Sequence, residues 1–383
     1  MLNNPQSIWY NYPMRVNQNI LISSLTTMRL GGAARYVIEV ERPEEVPDAY
    51  GFATQYHLPT FVLGYGANTL GHDEGFEGVI IINRMRGILE IGQKWFSEGP
   101  PEPGKARVSA PRPWRRAEAT QPEESHSDQS TRIKVMGGEY WDNVVAYACE
   151  RGLTGIEALS KIPSLAGSAP VQNIGAYGQD ISDTFVEAEA YDSATNTFVT
   201  LSKADLQFSY RRSILNTTAK NRYFIISITL ELHPGSMSPP FYNSIEKFIN
   251  DHNLTDFSPQ GIRDIVSQLR ADKLPDPLEK ASAGSFFHNV YLTEEAAEIA
   301  ADKGIPVHHG KDGYKVSSAW LIEQCGFKGK LLHGIRVSDK APLVLINESA
   351  TSYNDLAKAR SEITGKVYDR FGYWLEQEPV EIQ

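Results

Sequence analysis

The stretch Phe61-Val62-Leu63-Gly64-Tyr65-Gly66-Ala67-Asn68 decides how the N-terminal half of this chain folds. Its apolar residues predict a strand that ends in a turn with two glycines. Strand patterns at 36–40 and 79–82 surround it, and a helical pattern covers about 43–56. This order of strand, helix and strand predicts a βαβ unit at the start of the chain.

The glycine turn after this strand has two interpretations. Such a turn exposes backbone N–H groups and lets a phosphate approach where a Cβ would block it, so Gly64 and Gly66 can cradle a pyrophosphate. A plain hairpin glycine pair explains the same residues equally well, because the spacing is not the GxGxxG dinucleotide fingerprint. From this stretch alone both interpretations stay open.

Composition narrows the class of protein. The 383 residues leave room for two or three domains, and the 41% hydrophobic content is ordinary for a globular chain. The formal net charge of −10 argues against a nucleic-acid partner. With Cys149 and Cys325 as the only cysteines, we expect neither a disulfide framework nor a metal site.

The polar N-terminus lacks the apolar core of a secretory signal, and no apolar run reaches the roughly 18 residues of a membrane span. We therefore expect a cytoplasmic protein, acting as a monomer on small molecules.

Two segments interrupt the regular patterns. From Gln93 to Gln129, prolines crowd together with charged residues, which predicts an inserted mobile loop. Strand character resumes at 131–136, so the insertion interrupts a hairpin, and a helix is predicted over 140–151. The second segment, 162–178, is rich in glycine and carboxamides and has no charged side chain. An irregular loop explains its glycines, but a surface for a large flat ligand such as a flavin also explains the absence of charge, and we favour it.

Further along, single residues suggest chemistry. Arg211 lies beside Tyr210 before a long strand pattern, where its planar fork can bind a carboxylate, whereas Arg212 is expected to face solvent. Ser285 follows a glycine and precedes two phenylalanines. A serine that caps a turn explains it locally. A proton donor to a strongly basic carbon centre is the functional alternative. A proline-rich linker beginning at Pro234 predicts a domain boundary, and two helical patterns follow it at 243–251 and 260–273.

With these motifs in order, the chain resembles the UDP-N-acetylenolpyruvoylglucosamine reductase (MurB) family from about Leu25 to Glu378. The resemblance implies an α+β fold: a two-subdomain FAD-binding module of the vanillyl-alcohol-oxidase (PCMH) type and a C-terminal α+β substrate-binding domain. We assign 1–24 to an N-terminal extension, 25–234 to the FAD module and 235–383 to the substrate domain. The motifs that carry the resemblance are Leu63-Gly64-Tyr65-Gly66-Ala67-Asn68, residues 170–178, Tyr210-Arg211-Arg212-Ser213, Lys273-Leu274-Pro275-Asp276-Pro277, Gly284-Ser285-Phe286-Phe287-His288-Asn289, residues 320–329 and Leu375-Glu376-Gln377-Glu378.

The resemblance also implies an activity. NADPH would reduce FAD, and the reduced FAD would pass hydride to the enolpyruvyl group of UDP-N-acetylglucosamine enolpyruvate, giving UDP-N-acetylmuramate for peptidoglycan precursor synthesis. By the family's pattern, Ser285 delivers a proton, Arg211 holds the substrate carboxylate, and Glu378 stabilises the enolate as a protonated donor. The implied cofactor-binding residues are Gly64, Tyr65, Gly66, Ala67, Asn68, Thr69, Ser164, Gly167, Ser168, Asn173 and Gly175. The implied substrate-binding residues are Tyr177, Tyr242, Lys273, Asn289 and Lys328.

Several residues depart from the family's pattern. Ala67 replaces the usual Ser of the flavin turn, which predicts weaker but not abolished FAD binding. Gln377 stands where Pro usually separates the two terminal glutamates, and Pro379 follows the second. Other departures are Lys161, Ser164, Ser282 and Val290.

Two alternative functions share this fold. One is an FAD-dependent carbohydrate oxidase, for which His72 near the first glycine turn would be a covalent flavin anchor. The other is a non-catalytic flavin or UDP-sugar-binding homologue, which the substitutions around Ser285 and Glu378 would favour. Retention of Arg211, Ser285 and Glu378 together argues for the reductase.

Overall fold

The computed structural model describes residues 14–91, 130–310 and 313–382, and its first sheet confirms the βαβ start. Here β1 pairs antiparallel with β2, while β5 lies between β2 and β3 and runs parallel to both. The elements are β1 (Arg15–Leu21), β2 (Ala33–Val40), α1 (Glu45–Gln55), β3 (Thr60–Leu63), β4 (Thr69–Gly71), β5 (Phe76–Asn83) and β6 (Ile88–Glu90).

The central strand β5 explains the parallel arrangement. Its sequence from Val79 to Ile82 is uniformly apolar, and all of these side chains are buried. A strand covered on both faces needs no polar alternation. Helix α1 covers one face with Val46, Ala49 and Phe52, which recur at helical spacing. The turn after β3 is thereby held at the carboxyl edge of the sheet.

The second sheet is antiparallel and has the order β12-β11-β13-β7-β6. Strands β6 and β7 pair antiparallel across residues 93–129, so the predicted hairpin is confirmed. The inserted segment itself lies outside the described residues. The elements are β7 (Thr131–Met136), α2 (Trp141–Cys149), β8 (Leu153–Thr154), β9 (Gly175–Ala176), β10 (Gln179–Asp180), β11 (Phe185–Asp192), β12 (Thr197–Ser202), α3 (Lys203–Leu206) and β13 (Tyr223–Pro234).

A helical hairpin follows, formed by α4 (Asn243–His252) and α5 (Pro259–Lys273). Ser258 caps α5 by accepting a hydrogen bond from Gly261 N at 3.1 Å. The buried face of α5 carries Ile262, Ile265 and Leu269 at helical spacing. Both helices were predicted to within two residues, because their apolar period is clear.

The C-terminal part forms two small sheets, β14-β20-β19-β18 and β15-β17-β16, which pack with α8 around one apolar core. Helix α8 begins at a capping box made by Ser352 and Asp355 and ends at Gly372, whose φ is +76°. The elements are β14 (Ser282–Ser285), β15 (Val290–Leu292), α6 (Glu294–Asp302), β16 (Val307–Gly310), β17 (Gly313–Val316), α7 (Ser318–Gln324), β18 (Leu331–Leu332), β19 (Ile335–Val337), β20 (Val344–Asn347), α8 (Tyr353–Phe371) and β21 (Val380–Ile382).

Strand β21 leaves this C-terminal part and pairs parallel with β4, next to the glycine turn. At the other end, β1 falls largely within the segment assigned to an N-terminal extension, and it pairs along β2. The division into an FAD module and a substrate domain stays a prediction. Within the described residues, every helix is too short or too polar to cross a membrane.

Candidate active site

A cleft of about 940 Å³ is lined by the glycine turn after β3, by the segment from 162 to 174, and by residues 376–381. Small-molecule pockets commonly enclose about 300–1,000 Å³, so the cleft is at the large end of that range. The predicted site residues on its walls are Gly64, Tyr65, Gly66, Ala67, Asn68, Thr69, Ser164, Ser168, Arg211 and Glu378.

Two glycines of the turn occupy positions where a side chain does not fit. A Cβ at Gly64 would lie 2.0 Å from Ser168 Oγ. At Gly66, whose φ is +79°, it would lie 2.2 Å from the Leu25 carbonyl oxygen. Thr27 N donates a hydrogen bond to the Gly66 carbonyl oxygen at 3.0 Å, which fixes the turn. The turn thus lines the cleft with bare backbone, which fits the diphosphate of a dinucleotide cofactor.

The second glycine-rich segment packs directly against this turn. Ser164 and Ser168 lie on the cleft walls. Gly167 N donates to the Gly137 carbonyl oxygen at 2.8 Å, and a Cβ at Gly167 would lie only 2.9 Å from that same oxygen. Gly167 therefore allows two backbones to approach closely, which sets one wall of the cleft.

Arg211 is held by backbone carbonyls rather than by a paired carboxylate. Its Nη2 donates to the Gly175 carbonyl oxygen at 2.6 Å, and its Nη1 donates to that of Asn173 at 3.4 Å. The nearest carboxylate oxygens are longer contacts: Glu378 Oε1 lies 3.8 Å from Nε, and Asp180 Oδ1 lies 3.9 Å from Nη1. Asn173 and Gly175, predicted to bind the cofactor, thus orient Arg211 in the structure.

Glu378 lies deep in the cleft, with a side chain only 13% exposed. Burial raises the pKa of its carboxyl, while Arg211 and His288 oppose that rise. Both side chains lie beyond hydrogen-bonding distance of the carboxyl, with His288 Nδ1 3.6 Å from Glu378 Oε2 and Arg211 Nε 3.8 Å from Glu378 Oε1. Burial therefore prevails and favours a neutral carboxyl. His288 was missed from the sequence, although it directly follows the two phenylalanines after Ser285.

Ser285 ends β14 and is exposed, one residue after Gly284 with its φ of +69°. It pairs with Val344 of β20. The next residue, Phe286, accepts a hydrogen bond at its carbonyl oxygen from Glu378 N at 3.0 Å. The segments that carry Ser285 and Glu378 are therefore adjacent, although Ser285 is not among the residues that line the described cleft.

Two of the predicted substrate residues contact each other. Tyr177 and Tyr242 meet edge to face, with ring centroids 5.8 Å apart, and Tyr242 is 52% exposed. Burial raises the pKa of Tyr177, and burial lowers the pKa of the neighbouring Arg270. Arg270 was also missed, and its place one helical turn before Lys273 on α5 was the available signal.

The remaining three substrate residues lie on different elements. Lys273 is the exposed last residue of α5. Lys328 is also exposed, and its Nζ lies 2.8 Å from Glu323 Oε1. Asn289 Oδ1 accepts a hydrogen bond from Ser318 N at 3.3 Å. The structure therefore does not gather the predicted substrate residues into the walls of the cleft described above.

His72, the residue on which the oxidase alternative depends, has other contacts. Its Nε2 lies 3.1 Å from Glu381 Oε2, and its ring stacks on Tyr353 with centroids 3.9 Å apart. Hydrogen bonds and nearby cations outweigh the burial of the Glu381 carboxyl and lower its pKa to about 2. Nε2 is thereby engaged by a carboxylate, and His72 is not among the residues that line the cleft, so the structure does not favour the covalent anchor.

Comparisons with known proteins first define the class of the chain. A family model of the FAD binding domain matches residues 122–202, and one described as "UDP-N-acetylenolpyruvoylglucosamine reductase, C-terminal domain" matches residues 276–382. Together with the bare-backbone turn, these matches define a flavoprotein with a separate C-terminal domain. The predicted α+β fold is confirmed.

Two relatives match over nearly their whole length. The UDP-N-acetylenolpyruvoylglucosamine reductase of Ralstonia nicotianae is 34% identical over 93% of this chain and 96% of its own. That of Neisseria gonorrhoeae is 36% identical over 94% of this chain and 95% of its own. The crystal structure of the reductase (MurB) from Thermus caldophilus, at 20% identity, has a TM-score of 0.58 and covers 97% of this chain and 100% of its own. The chain belongs to the UDP-N-acetylenolpyruvoylglucosamine reductase family.

Proposed function

We infer that this protein is an NADPH-dependent flavoprotein oxidoreductase that reduces UDP-N-acetylglucosamine enolpyruvate to UDP-N-acetylmuramate. The observation that carries this function is the placement of Arg211 Nε 3.8 Å from the buried carboxyl of Glu378. The pair offers a fixed cation and a bound proton to a substrate that carries one carboxylate and develops charge beside it. The product serves peptidoglycan precursor synthesis, in the cytoplasm.

FAD is the cofactor that fits this cleft. The bare backbone at Gly64 and Gly66 suits its diphosphate, and the cleft volume of about 940 Å³ leaves room for a large cofactor. The chemistry that bound FAD would supply is transfer of hydride from NADPH to the terminal carbon of the enolpyruvyl group. The residues that would hold FAD are Gly64, Tyr65, Gly66, Ala67, Asn68, Thr69, Ser164, Gly167 and Ser168.

Arg211 and Glu378 act on the charge that hydride transfer creates. Hydride at the terminal carbon leaves negative charge at the carbon that bears the carboxylate. The guanidinium of Arg211 binds that carboxylate through its planar fork. Glu378 donates a hydrogen bond to the enolate oxygen, which requires the protonated form that its raised pKa favours.

Ser285 completes the reaction by delivering a proton to the same carbon. Its hydroxyl is exposed at the end of β14, next to the segment that carries Glu378. An ordinary hydroxyl is a weak acid, but an enolate-like carbon is basic enough to accept its proton. Lys273 supports this step by polarising the hydroxyl.

The UDP-sugar is held outside the FAD cleft by several polar and aromatic side chains. In a chain with a formal net charge of −10, the diphosphate of the substrate needs local cations, and Lys273 and Lys328 are both exposed. Tyr242 is exposed beside Tyr177 and closes over the sugar nucleotide. Asn289 provides a carboxamide. We assign these roles to a C-terminal substrate domain that begins after Pro234 in a monomeric enzyme.

The function is tested by the spectrum of the purified protein and by Ser285→Ala. A flavin absorbance band, with colour released on acid precipitation, is expected for the reductase, while colour in the pellet would indicate the oxidase. Ser285→Ala should retain flavin reduction by NADPH and lose most UDP-N-acetylmuramate formation, because only the protonation step is removed. Ser349→Ala, an exposed serine of the same part of the chain, is the control. Unchanged product formation in Ser285→Ala would remove Ser285 from the mechanism.

A further inference from the structure

Glu381, three residues after Glu378, is the centre of a hydrogen-bonded network. Its Oε1 accepts from Tyr353 Oη at 2.5 Å, from Arg360 Nη1 at 2.8 Å and from Gln377 Nε2 at 3.1 Å. Its Oε2 lies 3.1 Å from His72 Nε2. The side chain is only 16% exposed. A carboxylate with this many partners is held in one position.

The network spans both parts of the fold. Tyr353 and Arg360 belong to α8, and His72 directly follows β4. Gln377 also donates to the carbonyl oxygen of Pro379 at 2.8 Å and accepts from Arg360 Nη1 at 2.5 Å. The Gln377 side chain thus bonds residues 379 and 381 of its own segment, and Arg360 attaches this closed segment, 377–381, to α8.

Glu378 lies inside this closed segment and has few direct restraints of its own. Its carboxyl meets Arg211 and His288 only at 3.8 and 3.6 Å, beyond hydrogen-bonding distance. Its backbone is held instead: its N donates to the Phe286 carbonyl oxygen at 3.0 Å, and its carbonyl oxygen accepts from Asn68 Nδ2 at 3.5 Å. The place of the carboxyl therefore depends on the backbone between 376 and 381.

The same backbone is joined to the glycine turn. Val380 N donates to the Asn68 carbonyl oxygen at 3.0 Å, and β21 continues along β4 from there. Movement of Glu381 would therefore be passed along this backbone to Glu378, while the bond from Val380 N keeps the segment attached to the turn. A small displacement of a reacting group lowers the reaction rate strongly, so a shift of Glu378 should be visible in the kinetics.

We propose that Glu381 is a positioning residue for the reduction, which holds the carboxyl of Glu378 against Arg211 through Gln377 and Arg360. The proposal rests on the proposed function, since it assigns Glu381 a part in the same reaction. Gln377 has a definite role in it: where the family's pattern has Pro, this chain uses a side chain that closes the segment. Gln377 and Phe287 face each other in an isolated antiparallel β-bridge. The hydrogen bonds of this bridge are donated by Glu378 N and His288 N, so the backbone N–H of Gln377 is not used in it.

A purely structural role makes a different prediction. Loss of Glu381 would then lower stability and reduce every step of turnover alike. A positioning role affects the step in which Glu378 acts and changes the environment of its carboxyl. Glu378 is faced by Arg211 and His288, with Asp180 beyond Arg211, and none of these residues belongs to the network. The two roles are therefore separable by experiment.

The test uses FAD-loaded enzyme with Glu381→Gln and Gln377→Met, and Asp192→Asn as the control. Asp192 has the same kind of pairing, 2.7 Å from Arg222, and a pKa lowered to about 2 by Arg222, but it lies on β11 and is not among the residues that line the cleft. Two rates are measured separately: flavin reduction by NADPH and reoxidation by UDP-N-acetylglucosamine enolpyruvate. The carboxyl of Glu378 is titrated by infrared difference spectroscopy, with Glu378→Gln used to assign its band.

For Glu381→Gln we expect reoxidation about tenfold slower with KM within about twofold, because the reacting group is displaced rather than removed. Flavin reduction should stay within about twofold of wild type, and the Glu378 titration should move down in pH as water enters. Gln377→Met should show the same pattern more weakly, and Glu381→Asp should recover part of the rate. Asp192→Asn should change stability alone.

Three results would overturn the proposal: an unchanged Glu378 titration in both network variants, equal losses in both half-reactions, or an equal loss in Asp192→Asn. Failure of the proposed function looks different. In that case wild-type reduced enzyme is not reoxidised by the UDP-sugar at all, while the infrared titration still decides whether Glu381 controls Glu378.

Discussion

Glu378 and Glu381 are three residues apart, yet their surroundings move their pKa values in opposite directions. Glu378 is buried and accepts no hydrogen bond from Arg211 or His288, and burial raises its pKa. Glu381 is also partly buried, but four side chains bond its two oxygens, and its pKa falls to about 2. Hydrogen bonds to a carboxylate favour its charged form, whereas desolvation alone favours its neutral form.

The difference teaches that one short segment provides two kinds of carboxyl. A neutral acid is useful where charge develops in a reaction, and a fixed anion is useful where a backbone must be held. Here Glu378 precedes β21 and faces Arg211 and His288, whereas Glu381 lies in β21 and bonds Tyr353 and Arg360 of α8. Glu378 therefore provides a neutral acid for the reaction, and Glu381 provides an anion that holds the backbone in place.

The largest effect is expected from Glu378→Gln. This change keeps the shape of the side chain but removes the ionisable proton, so we expect reoxidation by the UDP-sugar to slow by about 100-fold or more. Flavin reduction by NADPH should be nearly unchanged, which stopped-flow absorbance can measure. If Glu378→Gln and Glu381→Gln lost equal rate, the distinction between the two glutamates would be wrong.

The second largest effect is expected in the pH dependence of the reoxidation rate. Because the pKa of Glu378 is raised above its ordinary 4.5, the active protonated form persists to higher pH and is lost as pH rises through the raised value. We therefore expect the reoxidation rate to fall with rising pH. Rapid-mixing rates across a pH series would measure this.

The matched control for the pH profile is Glu378→Gln, which should lose that descending limb and keep any other. A limb that survives unchanged in Glu378→Gln would assign it to a different group, with His288 the nearest titratable neighbour.

The smallest effect is on acid stability. The lowered pKa of Glu381 contributes stability above its ordinary value of 4.5, and this contribution is lost as pH falls from there toward about 2. For Glu381→Gln at neutral pH we expect a loss of about 1–2 kcal/mol in the free energy of unfolding, reduced by water around a partly exposed group. Denaturant unfolding at several pH values would measure it.

A stricter test is whether the unfolding free energies of wild type and Glu381→Gln become equal at low pH. Wild type and Glu381→Gln should approach equal stability as the pH falls below about 2, since the carboxyl of wild type then becomes neutral as well. A stability difference that stays constant down to that pH would attribute the loss to packing instead of charge.

Local features of the fold were predictable from the sequence. Helix α5 was predicted because Ile262, Ile265 and Leu269 follow helical spacing, and the βαβ start was predicted because the run at 79–82 is uniformly apolar. The glycine turn was located from its sequence, but its close approach to Ser168 was not predictable. Periodicity and turn residues report only on near neighbours.

Contacts between distant segments were not predictable in this way. Sequence spacing does not reveal that His72 meets Glu381, so a free flavin anchor was a reasonable alternative for His72. Likewise Asn173 and Gly175 were assigned to the cofactor from their motif, while the structure shows them bonding Arg211. A three-residue strand such as β21 carries too little pattern to indicate its partner β4.

The pairing of β21 with β4 has a consequence for the order of assembly. His72 and Glu381 are 309 residues apart in sequence, so this contact closes one of the longest loops in the chain. Closing such a loop is entropically costly and slow compared with forming local hairpins and helices. During refolding, helical and sheet signals should therefore return before the ability to retain flavin, and the late phase should end with the docking of β21.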